Sequence, residues 1–396
     1  MRRRVGKGRV VQAFVERFGH QPAVVVRAPG RVNLLGGHTD YNEGYVLPAA
    51  VDRAAWVAAS PLDRPQVHVV ALDLGEESRF PLPVPPPAGG WADYPRGVAW
   101  SLEEEGFPLV GMQAVLTSEV PVGAGLSSSA AVEVAFAWTW QVLSGLDIDR
   151  TRLALLCQRA ENEYVGVRCG VMDQMASVWG RADHALLLDC RTLEVEPVPL
   201  PEGVAIVVMD TGVRRELAAS EYNRRRQECE EAVRILSRHL PGIRALRDVS
   251  PGDFERVQHH LPEVLRKRAR HVVTDNARVL GAVEALRAGD LERMGWAMRR
   301  CHESLRDDYE VSSPELDRLA EAAWVFEGCY GARLTGAGFG GCVVALVDAD
   351  VVGPFQAHVS QAYEEAFGRP PTIYVCRAAD GAGRLTTETQ GTQSLS

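Results

Sequence analysis

The sequence predicts two α+β domains, and three observations carry that prediction. A chain of 396 residues exceeds what one hydrophobic core ordinarily holds. Strand-like and helical stretches are mixed in both halves. Between the halves lies RTLEVEPVPLPEG (191–203), polar in spacing and carrying three prolines, the best candidate for a junction. The expected division is 1–195, then 204–384, with a frayed polar tail over 385–396.

In the first half, AVVVRAP (23–29), YVLPAAVDRAAWVAAS (45–60), QVHVVAL (66–72) and GMQAVLTSEV (111–120) read as strands. They are β-branched or alternate apolar with polar. PLPVPPPAGG (81–90) is a surface loop, because its prolines cannot join a ladder. SSSAAVEVAFAWTWQVLSG (127–145) is apolar on several faces and reads as a buried helix. DRTRLALLCQRAENEYVG (149–166) has helical spacing after an Asp/Thr start, and HALLLDC (184–190) is a short strand. In the second half, VAIVVMD (204–210) is a strand. Amphipathic helices follow, among them 216–236 and 272–289. GARLTGAGFGGCVVALVD (331–348) returns to strand, glycine loop, strand.

Composition narrows the function classes. Apolar content of 46% and charged content of 24% are those of a soluble globular protein. A formal net charge of −9 argues against non-specific nucleic-acid or acidic-membrane binding. The basic triplet Arg224–Arg226 stands beside Glu228, Glu230 and Glu231 and reads as a mixed helix surface. The first twenty residues lack an apolar core and cleavage site, so no signal peptide is expected. No run approaches the ~20 apolar residues of a membrane span. Eight cysteines form no C-x-x-C pair, and buried reduced thiols are expected. A cytoplasmic enzyme fits these features, and a monomer is expected.

Four stretches carry chemistry. In VPVGAGLSSSAAVEVA (120–135), Gly123 and Gly125 flank Ala124 and allow close backbone approach to a ligand. After Leu126, the serines Ser127, Ser128 and Ser129 open a long helix. Free N–H groups and the helix dipole favour anions there, so this is a phosphate site. A plain serine cap is the simpler alternative, but a cap needs one serine. No Gly-Lys-Ser/Thr follows, which excludes a Walker loop. In LTGAGFGGCVVAL (334–346), Gly336, Gly338, Gly340 and Gly341 form either a tight hairpin or the second wall of the same cleft. In GRVNLLGGHTDYNEGYVLP (30–48), His38 and Asp40 suit sugar hydroxyls, and Arg31 suits a phosphate or carboxylate. In AENEYVGVRCGVMDQMAS (160–177), Asp173 sits in an apolar frame, where an acid is either paired or chemically active. Glu161, twelve residues earlier, would by itself read as a solvated helix residue.

Together the four stretches resemble the GHMP family of small-molecule kinases, and within it the galactokinases, over almost the whole chain. GVMDQ and SEYNRRR match as well. The resemblance implies a ribosomal-S5-like N-terminal domain and a ferredoxin-like C-terminal domain with the site between them. It implies transfer of the ATP γ-phosphoryl group to the anomeric hydroxyl of an aldose. By matching position, Asp173 would face that hydroxyl, and Arg31 would face both the hydroxyl and the γ-phosphate. Ser129 and Glu161 would hold Mg²⁺. His38, Asp40, Gly170 and Tyr222 would contact the sugar. The 123–129 loop, with Gly336 and Gly338, would carry the nucleotide.

Gly37 departs from the pattern, because the family's glutamate stands there and reaches the region of the sugar's 6-hydroxyl. Losing one charge-assisted hydrogen bond costs about 1.5–3 kcal/mol. Three readings follow: a compensated galactose site, a sugar lacking that hydroxyl such as L-arabinose, or a 6-carboxylate as in D-galacturonate. A non-catalytic sugar sensor is the alternative of another class. Arg31, Ser129, Glu161 and Asp173 are all present and argue against it.

Overall fold

The computed structural model describes residues 6–214 and 218–385. The expected polar tail beyond Leu385 lies outside the described residues. So do Glu216 and Leu217, the first two residues of the helix expected at 216–236.

The N-terminal half runs α1 (Lys7–Phe18), β1 (Val24–Asn33), β2 (Tyr45–Val46), β3 (Pro48–Leu62), β4 (Gln66–Ala71), β5 (Glu76–Pro81), α2 (Asp93–Glu104), β6 (Gly111–Ser118), α3 (Ser128–Leu143), α4 (Arg150–Arg159), α5 (Met172–Trp179), β7 (His184–Asp189) and β8 (Val195–Pro199). The C-terminal half runs β9 (Val204–Asp210), α6 (Ala218–Leu236), α7 (Pro251–Val257), α8 (Glu263–Arg287), α9 (Leu291–Asp307), α10 (Pro314–Trp324), β10 (Cys329–Thr335), β11 (Cys342–Asp348), α11 (Val352–Phe367), β12 (Thr372–Cys376) and β13 (Gly383–Arg384).

A six-stranded sheet, ordered β13-β1-β3-β6-β4-β5, organises the first half. Its pairings are antiparallel except β4 with β6. The strand β1 is buried on both faces, which is why AVVVRAP reads as a continuous apolar run. Val24 and Val26 enter the main core, while Val25 joins Ala58 and Val115 beneath Val10 and Phe14 of α1. Side chains alternate across a strand, so consecutive valines serve opposite faces. The helix α3 packs on β1 and β3. Its residues Val134, Phe136 and Trp140 are fully buried, as its all-round apolarity requires.

The second half is built on a four-stranded antiparallel sheet, β10-β11-β9-β12. The helices α9 and α10 cover β10. This is the two-domain α+β organisation expected from the sequence.

Two details of the boundary differ from the expectation. Part of the proline-rich junction is strand: β8 (Val195–Pro199) pairs with β7 as the edge of a three-stranded sheet, β2-β7-β8. An edge strand tolerates Pro197 and Pro199 because one side needs no donor. The chain also returns at its end. Val51 bridges Ala378, and β13 pairs with β1. Residues 378–384 therefore lie against the first sheet. The helix α8 leans on β2 and β8, so the two halves meet along a long seam, and the glycine loops converge there.

Candidate active site

Three loops from three places in the chain meet at the seam. The first follows β1, the second leads into α3, and the third joins β10 to β11. Arg31 ties the first two, donating from Nη1 to the carbonyl of Gly125 at 2.6 Å. Its backbone N–H also donates to the carbonyl of Leu126 at 3.1 Å. The third loop joins through Thr335, whose hydroxyl accepts the Asn33 N–H at 3.0 Å. It joins again at Ala337, whose carbonyl accepts from His38 Nε2 at 3.1 Å.

Glycine is required where the loops touch. A Cβ on Gly125 would lie 3.0 Å from the Thr335 carbonyl, and one on Gly336 would lie 3.1 Å from Cα of Gly125. Both residues have positive φ, +71° and +84°, which side chains disfavour. LTGAGFGG thus joins the antiparallel pair β10 and β11 as a hairpin loop and also packs against the loop that leads into α3. Gly338 has a different cause: its Cβ would strike the Val311 carbonyl at 2.3 Å. Three non-glycine residues in these loops, His38, Ser127 and Phe339, also hold positive φ. Local strain of that kind concentrates at functional sites.

The serines do not behave as a simple cap. Ser127 precedes α3 but makes no side-chain cap bond. Its hydroxyl donates to Asp173 Oδ2 at 2.5 Å instead. The first N–H groups of α3 are thus left without a capping side chain, as an anion site requires. Arg214 lies over the same loop, with Nε 2.8 Å from where a Gly123 Cβ would be. It pairs with Asp210 at 2.6 Å.

Asp173 begins α5 and accepts from both sides. Arg31 Nε reaches its Oδ1 at 2.7 Å and Nη2 reaches the same oxygen at 2.6 Å. Arg31 is 4% exposed, so the pair is oriented with little freedom. Glu161 lies on a π-helical turn, residues 160–165, that ends α4. Such turns often mark functional positions. The Ser129 hydroxyl lies near Glu161 and favours its ionised form. Fully buried Gln174 donates from Nε2 to Glu161 Oε2 at 2.7 Å and to Glu133 Oε2 at 3.1 Å. Burial, and then the Asp173 charge, push Glu161 up to about 7. Burial pushes Glu133 well above the usual carboxylate range.

This acid cluster fits a divalent cation, which would relieve the repulsion that raises these groups. Among the described residues, no three His, Cys, Asp or Glu side chains come together as a complete metal site. Ser129 and Glu161 would supply two ligands, leaving the rest to water and phosphate oxygens, as Mg²⁺ commonly accepts.

A cavity of about 180 Å³ adjoins this cluster and is lined by Arg31, Gly37, His38, Asp40, Asp173 and Tyr222, among others. Gly170 is glycine because the Asp40 carboxylate lies against it: a Cβ there would sit 2.0 Å from Oδ2. Burial and the neighbouring Asp173 raise Asp40 to about 6. His38 gives its Nε2 proton to the Ala337 carbonyl and accepts at Nδ1 from the Tyr41 hydroxyl at 2.9 Å. The Tyr41 and Tyr309 hydroxyls are 2.8 Å apart. Burial lowers His38 to about 3, so it is a neutral donor–acceptor. Tyr222 packs against His38, with ring centroids 5.3 Å apart.

The structure thus brings together Arg31, Asp173, Ser127, Ser129 and Glu161 at one end, and Gly37, His38, Asp40, Gly170 and Tyr222 around the cavity. Sequence reasoning missed Glu133 and Gln174, though signals existed: Glu133 stands one helical turn after Ser129, and Gln174 directly follows Asp173. It also missed Asp275, His271 and Arg333 behind Gly37. Nothing local marked them, because a helix and a strand of the second half deliver them.

Comparison with known proteins agrees with this geometry. Residues 93–181 match the GHMP kinases N terminal domain, and residues 282–365 match the GHMP kinases C terminal. Residues 12–61 match the galactokinase galactose-binding signature. The class is therefore that of the GHMP kinases. A galactokinase of Roseiflexus sp. (strain RS-1) is 54% identical over 379 residues, covering 96% of this chain and 97% of the relative. One from Chloroflexus aggregans (strain MD-66 / DSM 9485) is 49% identical over 374 residues, covering 94% and 96%. The crystal structure of Lactococcus lactis galactokinase complexed with galactose superposes with a TM-score of 0.91 at 38% identity, covering 95% of this chain and 98% of that one. A mevalonate kinase structure shares the fold, with a TM-score of 0.63 at 18% identity, covering 90% and 100%. The chain belongs to the galactokinase family.

Proposed function

We infer that the chain is a galactokinase. It transfers the γ-phosphoryl group of ATP to the anomeric hydroxyl of D-galactose, giving galactose 1-phosphate and ADP. The observation that carries the residue assignment is the placement of Asp173. It lies between Arg31 and Ser127, where the phosphate loop opens onto the cavity.

Phosphoryl transfer depends on positioning and charge neutralisation more than on covalent catalysis. Asp173 receives or orients the proton of the attacking hydroxyl. Arg31 holds Asp173 in place and neutralises charge building on the γ-phosphoryl oxygens. The loop Gly123–Ser129, with Gly336 and Gly338 opposite, cradles the nucleotide phosphates. Ser129 and Glu161 would hold Mg²⁺, which would neutralise phosphate charge. Gln174 and Glu133 keep Glu161 in the orientation that accepts it. His38, Asp40, Gly170 and Tyr222 bind the sugar. We read the protein as a cytoplasmic monomer whose substrates are an aldose and ATP. Its eight cysteines, all free, support a reducing compartment.

The test is ADP release with D-galactose and ATP·Mg²⁺ by the full chain and by Asp173→Asn. Turnover by the first and its loss in a folded Asp173→Asn is the expected result. Near-normal turnover in the variant would remove the catalytic assignment.

A further inference from the structure

A line of hydrogen bonds runs from α6, through the segment that follows α9, to the cavity wall. The Cys229 thiol of α6 lies 3.1 Å from the Tyr309 hydroxyl. The Tyr309 and Tyr41 hydroxyls are 2.8 Å apart. The Tyr41 hydroxyl is 2.9 Å from His38 Nδ1, and His38 Nε2 is 3.1 Å from the Ala337 carbonyl. His38 lines the cavity, whereas Tyr309 and Cys229 stand behind it, buried.

One acceptor fixes the direction of every proton in this line. A carbonyl oxygen only accepts, so His38 Nε2 carries the hydrogen. Burial above all lowers His38 to about 3, so the ring is neutral and its Nδ1 is bare. Tyr41 therefore donates to Nδ1, and its oxygen is left to accept from Tyr309. The Tyr309 oxygen in turn accepts from the Cys229 thiol. Burial keeps these donors protonated: it pushes Tyr41 and Tyr309 well above the usual tyrosine range and Cys229 up to about 11. Hydrogen bonds aligned in this way polarise one another, so each donor strengthens the next.

Tyr309 is itself held in place. Buried Arg225 of α6 donates from Nε to the Tyr309 carbonyl at 2.9 Å and from Nη2 to the Glu310 carbonyl at 3.1 Å. Two residues further on, the Val311 carbonyl accepts the Phe339 N–H of the glycine loop at 2.7 Å. The His38 ring packs against both Tyr309 and Tyr222, with centroids 4.8 and 5.3 Å away. The segment 309–311 thus grips the cavity wall with a side chain and the glycine loop with its backbone.

We propose that Tyr309 is a positioning residue for the sugar: through Tyr41 it fixes the His38 ring that walls the cavity. This rests on the kinase reading above. Tyr309 lies outside the cavity lining, so its loss weakens sugar binding and spares the transfer step.

The experiment is steady-state kinetics of the parent protein, Tyr309→Phe, Tyr41→Phe and the double variant, with D-galactose and ATP varied separately. Tyr309→Phe is expected to raise the galactose KM about three- to tenfold, as one lost hydrogen bond would. The kcat and the ATP KM are expected to stay within about twofold of the parent. Because Tyr309 acts through Tyr41, the double variant is expected to be no worse than Tyr41→Phe alone, whereas a merely structural loss would add to it. An unchanged galactose KM in Tyr309→Phe, an equal rise in both KM values, or additive effects in the double variant would each overturn the proposal. A second readout needs only the folded parent. Its long-range proton–nitrogen correlation spectrum should show His38 protonated at Nε2 and bare at Nδ1, the signal being assigned by its loss in His38→Asn. The opposite tautomer reverses the line and overturns the proposal, and this readout decides if Tyr309→Phe does not fold. Failure of the parent to phosphorylate galactose would instead sink the kinase reading.

Discussion

The two ends of the cavity are equally buried and electrostatically opposite. At the phosphate end, Glu161 and Glu133 are acids pushed up by burial and by neighbouring carboxylates. At the Gly37 corner, His38 and His271 are bases pushed down by burial beside Arg333. Burial penalises whichever form is charged, so its sign follows the residue type. The buried acids at one end favour a cation, whereas at the Gly37 corner Asp275 is held below the usual carboxylate range beside His271, Arg278 and Arg333. The difference teaches that a polar cavity can be read by the charges each wall buries.

The largest effect expected is at the phosphate end. Asp173→Asn should lower kcat by about 10²- to 10⁴-fold, with the melting temperature little changed. Steady-state kinetics alongside a thermal melt checks both. A loss no greater than that of a cavity substitution such as Tyr222→Phe would erase the contrast between the ends.

The pH dependence of stability separates the ends by sign. His271 binds a proton in the folded state only near 4, against 6.5 for the unfolded chain. The unfolded chain therefore holds more protons between those values, and stability falls as pH drops through that window. The span corresponds to roughly 3 kcal/mol. Glu161, raised to about 7 from 4.5, acts oppositely: the folded state holds the extra proton, and stability falls as pH rises through its window. Melts of His271→Gln and Glu161→Gln from pH 4 to 8 should flatten opposite limbs of the profile. Flattening of the same limb would break the comparison.

Glu161→Gln should also weaken divalent-cation binding at least tenfold, or about 1.4 kcal/mol. Mn²⁺ titration by calorimetry in the presence of nucleotide reads this directly. The smallest effects expected are those of two alanines. Gly125→Ala forces a side chain into positive φ against the Thr335 carbonyl and should cost about 1–2 kcal/mol. Gly37→Ala meets only the movable end of Arg333 and the Leu305 side chain. It should cost less than Gly125→Ala, by about 1 kcal/mol, in paired denaturation curves.

Much of the site was legible before the fold was known, because its chemistry sits in contiguous stretches. Ser127–Ser129 after two glycines marked the loop that opens α3, and Asp173 in its apolar frame announced a paired acid. The role of Ser127 was not legible: a serine before a helix reads as a cap, yet its hydroxyl goes to Asp173, 46 positions away. The helix α1 was also unread, since its apolar stripe of Val10 and Phe14 is thin beside the surrounding charge. The β8 strand was hidden by its prolines, which only an edge position tolerates.

By itself the sequence determined the two α+β halves, the glycine loops and the chemical types at the phosphate end. Those features depend on local periodicity, on backbone freedom and on short spacings. Only the tertiary structure decided what stands behind Gly37. The sequence showed a missing side chain there. The fold fills its place with Arg333, 296 positions further along, because β10 and α8 close over the first loop. A vacancy is a local fact, whereas the charge that borders it is set by packing between distant segments, where burial strengthens every unpaired charge.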